Sequence, residues 1–198
     1  GMVEQLRWSP DGRHLLANGF GLSLRPALLL IEVKTGEVTV VRTGQGNEVF
    51  AEPAWGRDGK TVYYKIRQAD REPAPLLVRN LQTGTDKVLL PSVYRYDISP
   101  AGGQLAFSTF DSAGEYLRIA PLAGGQPRNV YRQPRGMGRI YTVTWTRDGS
   151  HVLFARRGEL WRVPAAGGES VKLGLPRMES LRDLRVHPDG RRIAFTAG

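Results

Sequence analysis

The 198-residue chain contains no cysteine and only three histidines. The first absence excludes disulfide staples and every cysteine-based nucleophile or metal site. The second leaves little for a zinc centre or a nucleophilic triad, both of which need an imidazole with partners held within bonding distance. Long apolar runs are missing too. The longest, Ala27 to Ile31, is strand length and far short of the roughly 20 residues a membrane-spanning helix needs, so no membrane insertion is expected within this segment. No stretch repeats apolar residues at the helical period, and the N-terminus lacks a charged-then-apolar signal pattern. What is abundant is glycine (24) and proline (13), the composition of many short strands joined by turns.

Those turns recur in phase. Trp8-Ser9-Pro10-Asp11-Gly12-Arg13-His14-Leu15-Leu16-Ala17 returns at Trp55, Ile98, Trp145 and Val186, each apolar residue being followed by a glycine turn and a second apolar run. Asp-Gly tolerates positive φ and reverses the chain between strands. The columns Leu15/Val62/Leu105/Val152/Ile193 and Ala17/Tyr64/Phe107/Phe154/Phe195 then alternate at period two, the mark of a strand with one face in a core. Large buried side chains are expected in the Trp8/Trp55/Ile98/Trp145/Val186 column. Further glycine turns at Thr35-Gly36, Thr83-Gly84, Gly124-Gly125 and Gly167-Gly168 close a third strand and introduce a fourth. The hairpin glycines at 12, 59, 102, 149 and 190 set periods of 47, 43, 47 and 41 residues, and four short strands per unit of this length predict propeller blades.

Ser9-Pro10-Asp11-Gly12, Ser99-Pro100 and His187-Pro188-Asp189-Gly190 resemble the S-P-D-G hairpin of TolB-like, WD-like β-propeller repeats, and the resemblance covers essentially the whole chain. It departs at Ala101, where the aspartate is missing, and at Arg57 and Arg147, where the proline is missing. The expected fold is all-β: a single propeller domain over 1–198, with blades at about 3–43, 48–91, 92–133 and 134–175 and half of a fifth at 181–198. The unfinished blade leaves a strand edge, which suggests a fragment of a larger propeller or self-association through that edge. The resemblance implies a non-enzymatic scaffold or sensor domain that binds a protein or peptide, in a bacterial setting with the periplasm favoured. The alternative it raises is the gating propeller of a prolyl-oligopeptidase-type serine peptidase.

The repeat also assigns the polar residues. His14 and His151 share a column after the turn of different blades, and His187 sits in the Ser9 column of the fifth. They do not converge, so neither a metal nor a catalytic histidine is expected, and no cofactor. Asp11, Asp58, Asp148 and Asp189 recur because aspartate satisfies the backbone of its own turn. Gly21-Leu22-Ser23-Leu24-Arg25 lacks the closing glycine of a nucleophile elbow, and Gly19-Phe20-Gly21 and Gly44-Gln45-Gly46 lack the third glycine and helix of a phosphate cradle.

Residues 100–198 carry 15 basic against 8 acidic groups, and residues 1–99 carry 13 against 11, so the second half is the one to meet anions. No basic run with interleaved aromatics appears, which disfavours nucleic acid as partner. Propellers hold ligands where the chain leads into the inner strands, and by this analogy of fold the candidate partner-binding residues are Asn47, Glu48, Tyr94, Arg95, Arg135, Arg139, Arg177 and Glu179. Arginines and a tyrosine in this set suit a carboxylate or an acidic peptide.

Overall fold

The computed structural model describes residues 3–21, 23–68, 72–176 and 178–197. Leu22, residues 69–71 of the polar loop at 68–73, and Arg177 of the expected rim lie outside them. The regular elements of the described residues are all strands, gathered in two compact units, Gly1–Val93 and Tyr94–Gly198. In the first unit β1 (Val3–Trp8), β2 (His14–Phe20), β3 (Pro26–Glu32) and β4 (Val38–Thr43) form one antiparallel sheet in chain order. The next comprises β5 (Glu48–Trp55), β6 (Thr61–Gln68), β7 (Ala74–Asn80) and β8 (Asp86–Val93).

The second unit repeats the pattern with β9 (Tyr96–Ile98), β10 (Gln104–Asp111), β11 (Gly114–Pro121) and β12 (Arg128–Pro134). A further sheet holds β13 (Ile140–Trp145), β14 (His151–Arg156), β15 (Glu159–Pro164) and the two-residue β16 (Val171–Lys172). β17 (Leu181–Val186) and β18 (Ile193–Ala197) pair alone. Four complete blades and half of a fifth are therefore present, as the repeat requires.

The phase of the repeat is visible in the register. Trp8 pairs with Leu15, Trp55 with Val62, Ile98 with Leu105, Trp145 with Val152 and Val186 with Ile193, the same column against the same column in all five hairpins. The turns do what their composition dictates. Gly59 has φ 62° and Gly149 φ 70°, conformations in which a side chain is strained. The aspartate beside each glycine is absorbed locally: Asp58 Oδ1 accepts the N–H groups of Lys60 and Thr61 at 2.9 Å, Asp148 Oδ1 that of Ser150 at 3.0 Å, and Asp189 Oδ1 that of Arg191 at 2.8 Å. Hydrogen bonds from Thr146 and Ser150 hold the Asp148 carboxyl well below the usual carboxylate range. These aspartates are structural.

The core lies between successive sheets of each unit. In the first, Leu16 and Leu28 meet Phe50, Val62, Tyr64 and Leu77. In the second, Ala106, Leu117 and Ile119 meet Val143, Trp145, Val152 and Phe154, and Leu153 and Leu160 meet Leu181 and Leu184. Each fully buried large side chain contributes about 1.5–3 kcal/mol by leaving water. A directional bond accompanies this packing. The indole N–H of Trp55 donates to the carbonyl of Arg7 at 3.0 Å, and that of Trp145 to the carbonyl of Asp97 at 3.1 Å, in each case the inner strand of the blade before. The expectation of burial for this column is met in full by Trp145; Trp55, Ile98 and Val186 are half-buried, and Trp8 is exposed. Trp8 is 61% exposed, with no described inner strand packed on it in its unit, whereas Trp145 is 3% exposed.

Candidate partner-binding rim

In the second unit the chain leads into β9 through Tyr94-Arg95 and into β13 through residues 135–139. Tyr94 and Arg95 are fastened to β10 by Tyr94 N–H to Ser108 C=O (3.0 Å) and Ser108 N–H to Arg95 C=O (2.9 Å). The Arg95 side chain then crosses to the next inner strand. Its Nε donates to the carbonyl of Tyr141 at 3.1 Å and its Nη1 to that of Tyr94 at 2.7 Å. Arg139, exposed, sets its guanidinium carbon 4.9 Å from the centre of the buried Tyr94 ring. A cation over a ring face is attracted by the ring quadrupole and keeps its N–H edge available to a second partner. Tyr141, whose carbonyl accepts from Arg95, is 41% exposed, so this surface presents two guanidiniums and one phenol above the buried Tyr94 ring.

Beneath this surface lies a buried carboxylate. Glu115 on β11 is 3% exposed and accepts the Ile140 N–H at 2.9 Å and the Gln133 amide at 3.1 Å. Burial pushes its pKa up, against the pull of the Ile140 N–H and the nearby Arg139. Gln133 also donates to the carbonyl of Gly138, so β11 and β12 fix the loop that carries Arg139. The approach of those strands demands glycine at 114: a Cβ there would stand 2.2 Å from the Gln133 carbonyl oxygen. Arg157 donates to the carbonyl of Gly136 at 2.9 Å and ties the other side of the loop.

Three of the eight residues expected from the sequence, Tyr94, Arg95 and Arg139, thus meet in one place. Arg135 is exposed in the same loop, and Glu179 is exposed before β17. Asn47 and Glu48 belong to the first unit, where Glu48 accepts the Gln45 N–H at 3.1 Å and lies 3.8 Å from Arg42. Glu115 and Gln133 were not expected, since they come from β11 and β12 rather than from a loop.

The corresponding region of the first unit has a different chemistry. Lys65, in mid-strand on β6, is wholly buried, with Nζ 2.9 Å from Glu52 and 3.3 Å from Glu72. Glu52 occupies a bulge of β5 at φ 52°, and its N–H donates to the Gln5 side chain at 2.8 Å. A lysine inside the apolar run Val62-Tyr63-Tyr64-Lys65-Ile66 is the signal in the sequence that could have found this cluster.

Among the described residues the histidines assemble no catalytic set. His151 is bonded to Ser150 at 2.8 Å and His187 lies 3.0 Å from Asp189, each within its own turn. Among the described residues no group of three His, Asp or Glu side chains could hold a metal ion, and no helix is long and apolar enough to cross a membrane.

No family model matches the chain, and no curated protein matches it in sequence. Solved structures do match its fold. The putative TolB of Agrobacterium tumefaciens is similar with a TM-score of 0.79 and 18% identity, over 100% of this chain and 70% of its own. The Swd1 β-propeller domain of Myceliophteria thermophila gives 0.70 and 17%, over 100% of this chain and 62% of its own. An oligogalacturonate lyase solved in complex with manganese gives 0.61 and 14%, over 82% of this chain and 48% of its own. The fold is that of a β-propeller of the TolB-like and WD-like kind.

Proposed function

We propose that this chain is a non-catalytic interaction module, a scaffold or sensor domain, whose second unit receives an acidic peptide or protein segment at Tyr94, Arg95, Arg139 and Tyr141. The observation that carries this reading is the placement of Arg139 over the Tyr94 ring beside an Arg95 already tied to the Tyr141 carbonyl. Two guanidiniums held by rings and carbonyls are positioned before a partner arrives, which lowers the ordering cost of binding and favours the paired hydrogen bonds of a carboxylate. The likeness to TolB and Swd1 propellers supports a role in binding rather than in catalysis, and that to the lyase shows that the fold also serves enzymes.

Fluorescence anisotropy with a labelled hexaglutamate peptide at low salt tests it. Binding is expected to weaken about tenfold in Arg139→Ala, the loss of one charge-assisted contact, and to fall steeply with salt. Failure of the peptide to bind, or binding indifferent to Arg139→Ala and Arg95→Ala, overturns the proposal.

A further inference from the structure

At the other end of the same inner strands, where they run into the hairpin turns, the repeat changes in three places at once. Trp55 and Trp145 each send an indole to the preceding blade, but the fifth unit has Val186 in that column. One residue earlier, where β9 and β13 have Asp97 and Thr144, β17 has Arg185. Two residues after Trp145, where the first, third and fifth hairpins have proline, stands Arg147. These substitutions surround an open cleft of about 210 Å³ lined by Asp97, Thr144, Trp145, Arg147, Arg185 and Val186 among others.

Among the described residues neither guanidinium is paired with an acid. Arg147 makes no hydrogen bond or ion pair with any described residue, and its stem rests against the next turn, where a Cβ on Gly190 would lie 3.3 Å from its own Cβ. Arg185 has one described bond, from Nη1 to the carbonyl of its neighbour Leu184 at 3.2 Å. The one acid of the wall faces the blade contact: Asp97 Oδ2 accepts the Thr144 hydroxyl at 2.8 Å and the Trp145 N–H at 3.0 Å. Two cations against one engaged carboxylate, in a unit of net charge +7, leave the cleft positive. Its volume equals about seven liquid waters, which suits a short carboxylate and excludes a folded chain segment.

We infer that this cleft is a second binding site, selective for a carboxylate held by Arg147 and Arg185, presented either by a small dicarboxylic acid or by an acidic side chain of a partner. It stands independently of the rim proposed above.

Titration calorimetry with succinate and with hexaglutamate, on the wild type and on Arg147→Gln, Arg185→Gln and Arg139→Ala, decides it. Both glutamines replace exposed side chains, and a thermal melt of each variant checks that the fold is kept. A free acid as the source predicts succinate binding that weakens at least tenfold in each glutamine variant and persists in Arg139→Ala. An acidic side chain as the source predicts the same dependence for hexaglutamate alone. Either result supports the site. It is overturned if neither ligand binds, or if binding is unchanged in both glutamine variants. Loss of hexaglutamate binding only in Arg139→Ala, with no binding of succinate, would overturn it while leaving the rim intact.

Discussion

In residues 1–93, 12 basic side chains stand against 10 acidic ones, and Arg42, Lys65, Arg67 and Arg79 each reach a carboxylate. In residues 94–198, 16 stand against 9; Lys172 and Arg192 reach carboxylates, but several arginines turn instead to rings and carbonyls. Arg118 and Arg132 lie 5.0 and 5.7 Å from the Tyr116 ring, and Arg156 lies 4.2 Å from the Trp161 ring and donates to the Tyr131 hydroxyl. None of these three has a carboxylate within ion-pair reach among the described residues. One repeat has thus been furnished in two ways. Ion pairs engage more of the cations of the first unit, whereas ring contacts hold several of those of the second without cancelling their charge. Both anion sites proposed above fall in the second unit for this reason.

The difference is sharpest in one column of the second strand, where Asn18, Lys65, Ser108, Ala155 and Thr196 are equivalent. Lys65 is buried against Glu52 and Glu72, whereas the Ser108 hydroxyl is buried with no hydrogen-bond partner. Removing one member of a buried ion pair costs about 3–5 kcal/mol, and Lys65→Ala should lie near the lower end because both glutamates retain some access to water. Ser108→Ala should be neutral or slightly stabilising, since it deletes an unsatisfied hydroxyl. Denaturant titrations of the two variants test the contrast, and equal losses at both positions would erase it.

A smaller effect is expected in the tryptophan column. Trp145→Phe removes the indole donor to Asp97 and leaves that carbonyl without it, at a cost of about 1–3 kcal/mol, and Trp55→Phe does the same at Arg7. Trp8→Phe should change stability by no more than about 0.5 kcal/mol, because the side chain is largely exposed. A substantial loss at Trp8 in denaturant melts would mean that a partner covers the first blade in solution.

These contrasts also mark what the sequence could tell. Blade number, hairpin register and the role of the turn aspartates were all legible, because Asp-Gly and the period-two columns act within ten residues. The meeting of Tyr94, Arg95 and Arg139 was legible only as far as their place before inner strands, which an analogy of fold supplied. Glu115 and Gln133 were hidden, since their contact is made across β11 and β12 and leaves no spacing signature. Trp8 shows the limit most plainly. A column reports the kind of side chain a position needs and not how far its surroundings cover it.

The smallest effect is in the response to pH, and it too separates the units. Burial raises the Glu115 pKa above 4.5, so the folded second unit binds this proton more tightly than the unfolded chain. Stability contributed here is present below 4.5 and is lost as the pH rises from 4.5 through the raised folded value. In the first unit burial, helped by a hydrogen bond to Asp86, pushes Tyr64 up to about 12 from 10, so its loss falls between about 10 and 12. Glu115→Gln keeps an acceptor for the Ile140 N–H and removes the ionisation. Its melting temperature should exceed that of the wild type by most at neutral pH, and the gap should close as the pH falls to 4.5. A gap constant across that range would mean that Glu115 carries no proton linkage and that its burial under the rim does not shift it.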